Sequence, residues 1–286
     1  MILLMLLRSS LKFCLLITKL AGLTLKRLSQ PGAVLALFYY QTLVWCCQGF
    51  GAEAPKAKAC DLLVAAASDL SDLEADLAGL LPDCKTRFTF GSSGLLRQQI
   101  RNGAPYDLFL SANSQYINEL LDAGLIANDT VHVYAYGQLA LWSKRGLGWR
   151  DLASTNVNRI AIANPTLAPY GKAARESLQH EPKLWSTVQS KLVFGENVRQ
   201  AFQFAATGNA DVCLTSYSLV RSIGGVLVDP KMYNPIAQAA GVIRRPRGNA
   251  TAARRLLDAL LSVRGQELVR RYGLLPAAMA GQTRPK

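Results

Sequence analysis

The stretch DLLVAAASDLSDLEADLAGLL, Asp61 to Leu81, constrains the fold more than any other part of the chain. Leu62, Leu63 and Val64, continued by Ala65 to Ala67, form an apolar run too short for a core helix, which predicts a buried strand. Ser68 follows, and beyond it Leu70, Leu73, Leu77, Leu80 and Leu81 outline one apolar face of a helix. The spacing therefore predicts a strand that ends at Ser68 and a helix that Ser68 caps. A helix start offers free backbone N–H groups and a partial positive charge, so it is a natural place for an anion. The same order recurs in RFTF (Arg87 to Phe90), GSSG (Gly91 to Gly94) and a helical LLRQQIRNG. Two serine-tipped helix starts facing one small anion is the reading these units support.

The pattern continues. YDLFLSA (Tyr106 to Ala112) reads as a third strand and SQYINELLDAGLI as its helix. Repeated strand–helix units imply a parallel sheet with helices on both faces, and ligands in such sheets bind beyond the carboxyl ends of the strands. VHVYAYGQLALWSK is extended and apolar without a helical period, and would lead out of this first unit. A second series then begins: RIAIANP as a strand, and TLAPYGKAARESL as a helix with Pro169 near its start. In the following segment Asn197 is a good N-cap, Val198 lies in the first turn, and Asp211 to Thr215 is a strand. IAQAAGVIRR is a second extended stretch able to return, and Ala252 to Tyr272 reads as a final helix. The expected fold is α/β: two doubly wound lobes joined by two crossing segments. Residues 55–136 and 240–286 would form lobe 1 and 137–239 lobe 2, with a cleft that closes by hinge motion.

A hydrophobic fraction of 50% and a charged fraction of 18% suit such a core. The formal net charge is +13. Residues 1–54 hold five basic groups and one acid, so the remainder carries 27 Lys and Arg against 18 Asp and Glu, or +9. A basic surface steers anions inward. The basic groups form no polybasic tract interleaved with aromatics, which argues against a nucleic-acid partner.

Residues 1–54 read as a leader. Lys26 and Arg27 precede Ala33 to Cys47, an uncharged, largely apolar stretch of the length of a secretory h-region and short for a membrane span. Ala52-Glu53-Ala54 resembles a cleavage site, although Pro55 is unfavourable just after a cut, and cleavage a few residues earlier is an alternative. An earlier apolar block is broken by Arg8, Lys12 and Lys19, so either the leader is a long signal anchor or the true start lies downstream of Met1. Trp45 before Cys46 disfavours a lipoprotein. The expected location is the periplasm, with a membrane tether if the leader is uncleaved.

Cys60, Cys84 and Cys213 lie beyond the leader, with no CxxC and two histidines, His132 and His180, which excludes the usual zinc spacings. Cys60 and Cys84 each precede a predicted strand, eight and nine residues upstream of Ser68 and Ser93. If those strands are parallel neighbours the sulfurs meet in a disulfide; otherwise they are two buried thiols.

AAASDL, GSSGLLRQQIRNGAPYDLFLSAN, ANPTLAPYGKAA, GENVRQAF and GQELVRRYGLLP, in this order, resemble the periplasmic molybdate-binding proteins (ModA type) of ABC importers. The resemblance spans about Asp61 to Pro276. It implies the bilobal type II periplasmic binding protein fold, capture of molybdate or tungstate, no cofactor, and delivery to an ABC permease in the inner membrane by a monomer. It also implies oxyanion contacts at Ser68, Ser93, Tyr170 and Val198, as hydrogen-bond donors to the ion's oxygens and not as direct metal ligands. Some members place a tyrosine near Thr215-Ser216; here Ser216 takes that place and Tyr217 is one residue on, which favours Tyr170. Some members use an Asn after the first serine; here it is Asp69, expected to give only its backbone N–H, with its side chain turned away or capping locally.

The chemistry agrees with that implication. Molybdate and tungstate are dianions that only accept hydrogen bonds, so a pocket of hydroxyls and N–H groups suits them without Arg or Lys. About seven charge-assisted bonds at roughly 1.5–3 kcal/mol each, less the costs of association, leave about 9–12 kcal/mol, or roughly nanomolar to sub-micromolar affinity. Lys172 and Arg199 lie near helix starts and would raise the local potential without being ligands. The alternatives are a same-fold receptor for sulfate, phosphate or an organic acid, and a serine-dependent enzyme. The first lacks an Arg clamp for a carboxylate. The second lacks a nucleophile elbow and a histidine paired with an acid, so no catalytic residue is assigned.

Overall fold

A computed structural model describes residues 60–277, which belong to one compact unit, Ala59–Lys286. The leader and its expected cleavage site lie outside the described residues.

Two mixed sheets organise the chain. The first contains β1 (Asp61–Ala67), β2 (Lys85–Gly91), β3 (Leu108–Ser111), β4 (His132–Gly137), β10 (Ile236–Val242) and β11 (Leu275–Pro276), in the order β11-β4-β10-β3-β1-β2. The second contains β5 (Leu139–Trp142), β6 (Ile160–Ala163), β7 (Leu192–Gly195), β8 (Val212–Ser216) and β9 (Val226–Leu227), in the order β7-β6-β8-β5-β9. In the first sheet β2, β1 and β3 are parallel, and β10 runs antiparallel between β3 and β4. In the second, β7, β6 and β8 are parallel.

Alternation along the strands supplies both faces of each sheet. Val64 and Ala66 of β1 pack with Leu70, Leu73 and Leu77 on one side. Ala65 faces the other way, onto Leu96 and Ile100 of α2 (Ser93–Arg101) and Ile117 and Leu120 of α3 (Ser114–Asp122). In the second sheet Ile160 and Ile162 pack on Ala173, Ala174 and Leu178 of α4 (Pro169–Gln179), and on Val188 of α5 (Pro182–Val188). Ala161 and Cys213 face Ala201 and Ala205 of α6 (Val198–Ala206). Burial pushes the Cys213 thiol up to about 12, which leaves it inert. Each sheet is thus covered on both faces, giving the two α/β lobes the sequence implied.

Four local expectations shift. Ser68 is not an N-cap: it is the first residue of a 3-10 helix, Ser68–Leu73, after Ala67, and the α-helical part, α1, is only Glu74–Ala78. The leucine face is still buried, because three- and four-residue spacings point inward in either helix type. The stretch 132–142 is two strands in different sheets, separated by Gln138. The return crossing comes before Ile236, ahead of the 239/240 boundary drawn from the sequence. The final helix is two, α7 (Ala250–Leu261) and α8 (Val263–Arg271). Ser262 is extended (φ −65°, ψ 165°) and its hydroxyl accepts from Gly265 N–H, which restarts the helix and leaves Val263 exposed.

Cys60 and Cys84 are joined in a disulfide. It ties the amino end of β1 to the residue before β2, and those strands are parallel neighbours paired Asp61 to Lys85.

Candidate functional site

The carboxyl ends of β1, β2 and β3 meet those of β6, β7 and β8 across a closed cleft. Ser68 leaves β1, and Ser92 and Ser93 leave β2. From the other lobe, Tyr170 sits in the first turn of α4 after β6, Val198 begins α6 after β7, and Ser216 ends β8. Ser68, Ser93, Tyr170 and Val198 are all buried, between 1% and 4% exposed. A set of contacts across the cleft ties them together. Gly94 N–H donates to Leu167 C=O at 2.8 Å. The Tyr170 hydroxyl reaches Asp69 Oδ2 at 3.0 Å, and Ser218 Oγ donates to the Asp69 carbonyl at 2.7 Å. Arg199 of α6 grips Ser71 Oγ and Asp72 Oδ1, the latter at 2.9 Å. Two glycines permit the approach. A Cβ at Gly94 would lie 2.6 Å from Leu167 O, and one at Gly137 would lie 2.2 Å from the Tyr170 hydroxyl.

Several donors at this junction are open. Of the first four N–H groups of α6, that of Gln200 is taken by the Asn197 side chain and that of Ala201 by the Asn197 carbonyl, leaving those of Val198 and Arg199 without an acceptor among the described residues. Ser93 Oγ accepts the Ala112 N–H at 2.9 Å, which frees its own proton to donate elsewhere. The Ser68 hydroxyl is engaged by no other described residue. The Ser92 hydroxyl is also buried, without a hydrogen-bond partner. Buried polar groups are normally paired, so such orphans mark a place for a ligand.

The electrostatics are less simple than the sequence implied. Asp69 is 1% exposed and does not turn away. Its Oδ2 accepts from Tyr170 and from Gln238 Nε2, and its Oδ1 is buried without a partner. Gln238 is oriented in turn by the Tyr134 hydroxyl, which donates to its Oε1 at 2.8 Å, and Gln238 Nε2 also lies 3.2 Å from the Tyr170 oxygen. Burial pushes the Asp69 carboxyl up to about 6, against the hydrogen bonds from Gln238, Tyr170 and its own N–H. Burial, with the Asp69 charge nearby, holds the Tyr170 and Tyr134 phenols well above their ordinary value, so both stay protonated.

The remaining residues fall into place around this. The Ser216 hydroxyl is paired with the Ser218 hydroxyl at 2.8 Å. Tyr217 is held elsewhere, its ring against Gly273. Lys172 points outward beside Glu176, 4.0 Å away. Arg199 serves as a latch between the lobes. The sequence reading missed Gln238 and Tyr134. A buried Gln in an apolar strand was the available signal, because a polar side chain there needs a partner. Among the described residues no group of three or more His, Cys, Asp and Glu is placed to hold a metal ion.

The family model for bacterial extracellular solute-binding proteins matches residues 62–275. The chain is 34% identical over 227 residues to the molybdate-binding protein ModA of Rhodobacter capsulatus, covering 76% of this chain and 89% of that protein. It is 34% identical over 239 residues to ModA of Azotobacter vinelandii, covering 79% and 94%. The solved periplasmic molybdate-binding protein of Azotobacter vinelandii superposes with a TM-score of 0.68 at 28% identity, over 75% of this chain and 98% of that one. A match across both lobes, joined to two sheets whose strand ends face one closed cleft, settles the family: the chain belongs to the bacterial extracellular solute-binding proteins.

Proposed function

We propose that this protein captures molybdate or tungstate in the interlobe cleft outside the cytoplasm and hands it to an ABC permease, as a binding protein and not an enzyme. The observation that carries this is the set of unengaged donors at the cleft. Ser68 Oγ, Ser93 with its free hydroxyl proton, and the Val198 N–H supply hydrogen bonds to an ion that can only accept them. Tyr170 joins them when its proton is released from Asp69. The named molybdate-binding relatives support the choice of ion. In this reading lobe 1 comprises 55–136 with the chain from β10 onward, lobe 2 lies between, and residues 1–54 direct export to the periplasm. The protein works as a monomer, since one cleft holds one ion, and it has no nucleic-acid partner.

Titration calorimetry on the ligand-stripped protein, with molybdate, tungstate, sulfate and phosphate in turn, tests this. The expected result is one molybdate or tungstate per chain with weak sulfate. Tight sulfate or organic-acid binding, with no heat from molybdate or tungstate, would refute the choice of ion.

A further inference from the structure

Tyr170 has one hydroxyl proton, and in this structure it is directed at Asp69. The phenol oxygen is 3.0 Å from Asp69 Oδ2. Its neighbour Gln238 is a donor to both groups through Nε2, its orientation fixed by the Tyr134 hydroxyl on Oε1. While the carboxylate holds the Tyr170 proton, the phenol turns only lone pairs toward an oxyanion, and the carboxylate adds a buried negative charge beside it. An arriving dianion meets both obstacles.

We propose that oxyanion capture is coupled to uptake of one proton from solvent by the Asp69 carboxyl. The proposal rests on the reading of Tyr170 as an oxyanion contact. The proton enters on Oδ2, and the Asp69–Tyr170 hydrogen bond reverses. Asp69 O–H then donates to the phenol oxygen, that oxygen accepts also from Gln238 Nε2, and the Tyr170 O–H is released to the ion. The site thereby gains one proton with each ion. Asp69 is thus a positioning residue that acts through Tyr170.

The surroundings leave Asp69 as the group that responds. On its own 3-10 helix, Asp72 is paired with Arg199 of α6 at 2.9 Å. From β4 and α4 come Tyr134 and Tyr170, both held protonated. Outside this triad, α4 offers Lys172, exposed beside Glu176, and Arg175; β10 offers no charged side chain. Glu74 and Asp76 of α1 lie on the outer face, Asp76 with Arg271, and Arg87 of β2 is paired with Asp61. Tyr217, on the short helix Tyr217–Val220, packs at Gly273. Among the described residues no cation hydrogen-bonds the carboxylate, in line with the upward shift of Asp69 by burial.

The test is molybdate calorimetry from pH 6.5 to 8.5 on the purified chain, repeated in buffers of different ionisation enthalpy, for wild type and Asp69→Asn. The ion is a dianion throughout this range, so its own titration does not interfere. Wild type is expected to lose up to about tenfold in affinity per pH unit and to take up close to one proton per ion. Asp69→Asn is expected to bind with no pH slope and no buffer dependence. Tight molybdate binding by wild type with neither slope nor proton uptake overturns the coupling and leaves the ligand reading intact. No molybdate binding at any pH overturns both. Tighter binding of hydrogen phosphate than of molybdate at pH 8 also overturns the coupling, because an ionised Asp69 would then be accepting the proton that the ligand carries.

Discussion

Replacing Cys60 and Cys84 together by Ser should cost about 3.5 kcal/mol of stability without touching ligand capture. The bridge joins residues separated by 24 positions. In the chain-entropy treatment, closing a loop of about 25 residues removes roughly 12 cal/mol/K from the unfolded ensemble, or about 3.5 kcal/mol at 25 °C. Spread over roughly 220 folded residues, that lowers the melting temperature by about 7–10 °C. Denaturant titration under oxidising conditions, scored by midpoint and slope, measures the difference directly. The functional half of the prediction follows from where the bridge sits. It lies at the amino end of β1, and seven strand residues separate it from Ser68, a rise of about 23 Å. Sites so far apart act independently, so molybdate affinity should change by less than about threefold. A stability loss below about 1 kcal/mol would refute the entropic argument. A large fall in affinity at unchanged fold would refute the separation of bridge and site.

Gly94→Ala places a methyl against the Leu167 carbonyl, which blocks closure; we expect at least a tenfold loss of ion affinity with near-normal stability, read by calorimetry beside thermal melting. On the proposed reading of Tyr170 as an oxyanion contact, Tyr170→Phe removes one donor, and calorimetry should show a loss of about 1.5–3 kcal/mol. In the ligand-free protein, the raised Asp69 carboxyl binds its proton more tightly folded than unfolded. Its contribution is therefore fully present below about pH 4 and lost as the pH rises through about 6. Asp69→Asn should accordingly gain up to about 3 kcal/mol over wild type at pH 8 and little at pH 4, measured by urea titration at both. A gain of equal size at both pH values would show that ionisation is not the cause.

Features decided by neighbouring residues were legible in the sequence. Asn197 before Val198 announced a capped helix start, and the cap is there. The continuous apolar run of β1 and the leucine spacing after it placed the core correctly. The disulfide was conditional on strand order, and became definite once β1 and β2 proved to be parallel neighbours. Misreadings came where two local states share one hydrophobic pattern. Leu70 to Leu81 fits a 3-10 turn plus a short helix as well as one long helix, and Ser262 was read as an interior position instead of a restart. The Asp69 triad was beyond reach for another reason. Its partners stand 101 and 169 positions away, so the spacing of residues along the chain carries no trace of them.

The position of β10 has a consequence for how the molecule is made. It lies at the centre of the first sheet, between β3 and β4, yet it is synthesised after all of the second sheet. Lobe 2 is one continuous segment and can complete its sheet as soon as its last strand emerges. Lobe 1 waits with its middle strand missing, and its closure must span the whole inserted lobe, which makes this pairing the slow, non-local step. The order of assembly is therefore inserted lobe first and enclosing lobe last, and until residue 242 has appeared the chain cannot form the Gln238 contact that holds Asp69.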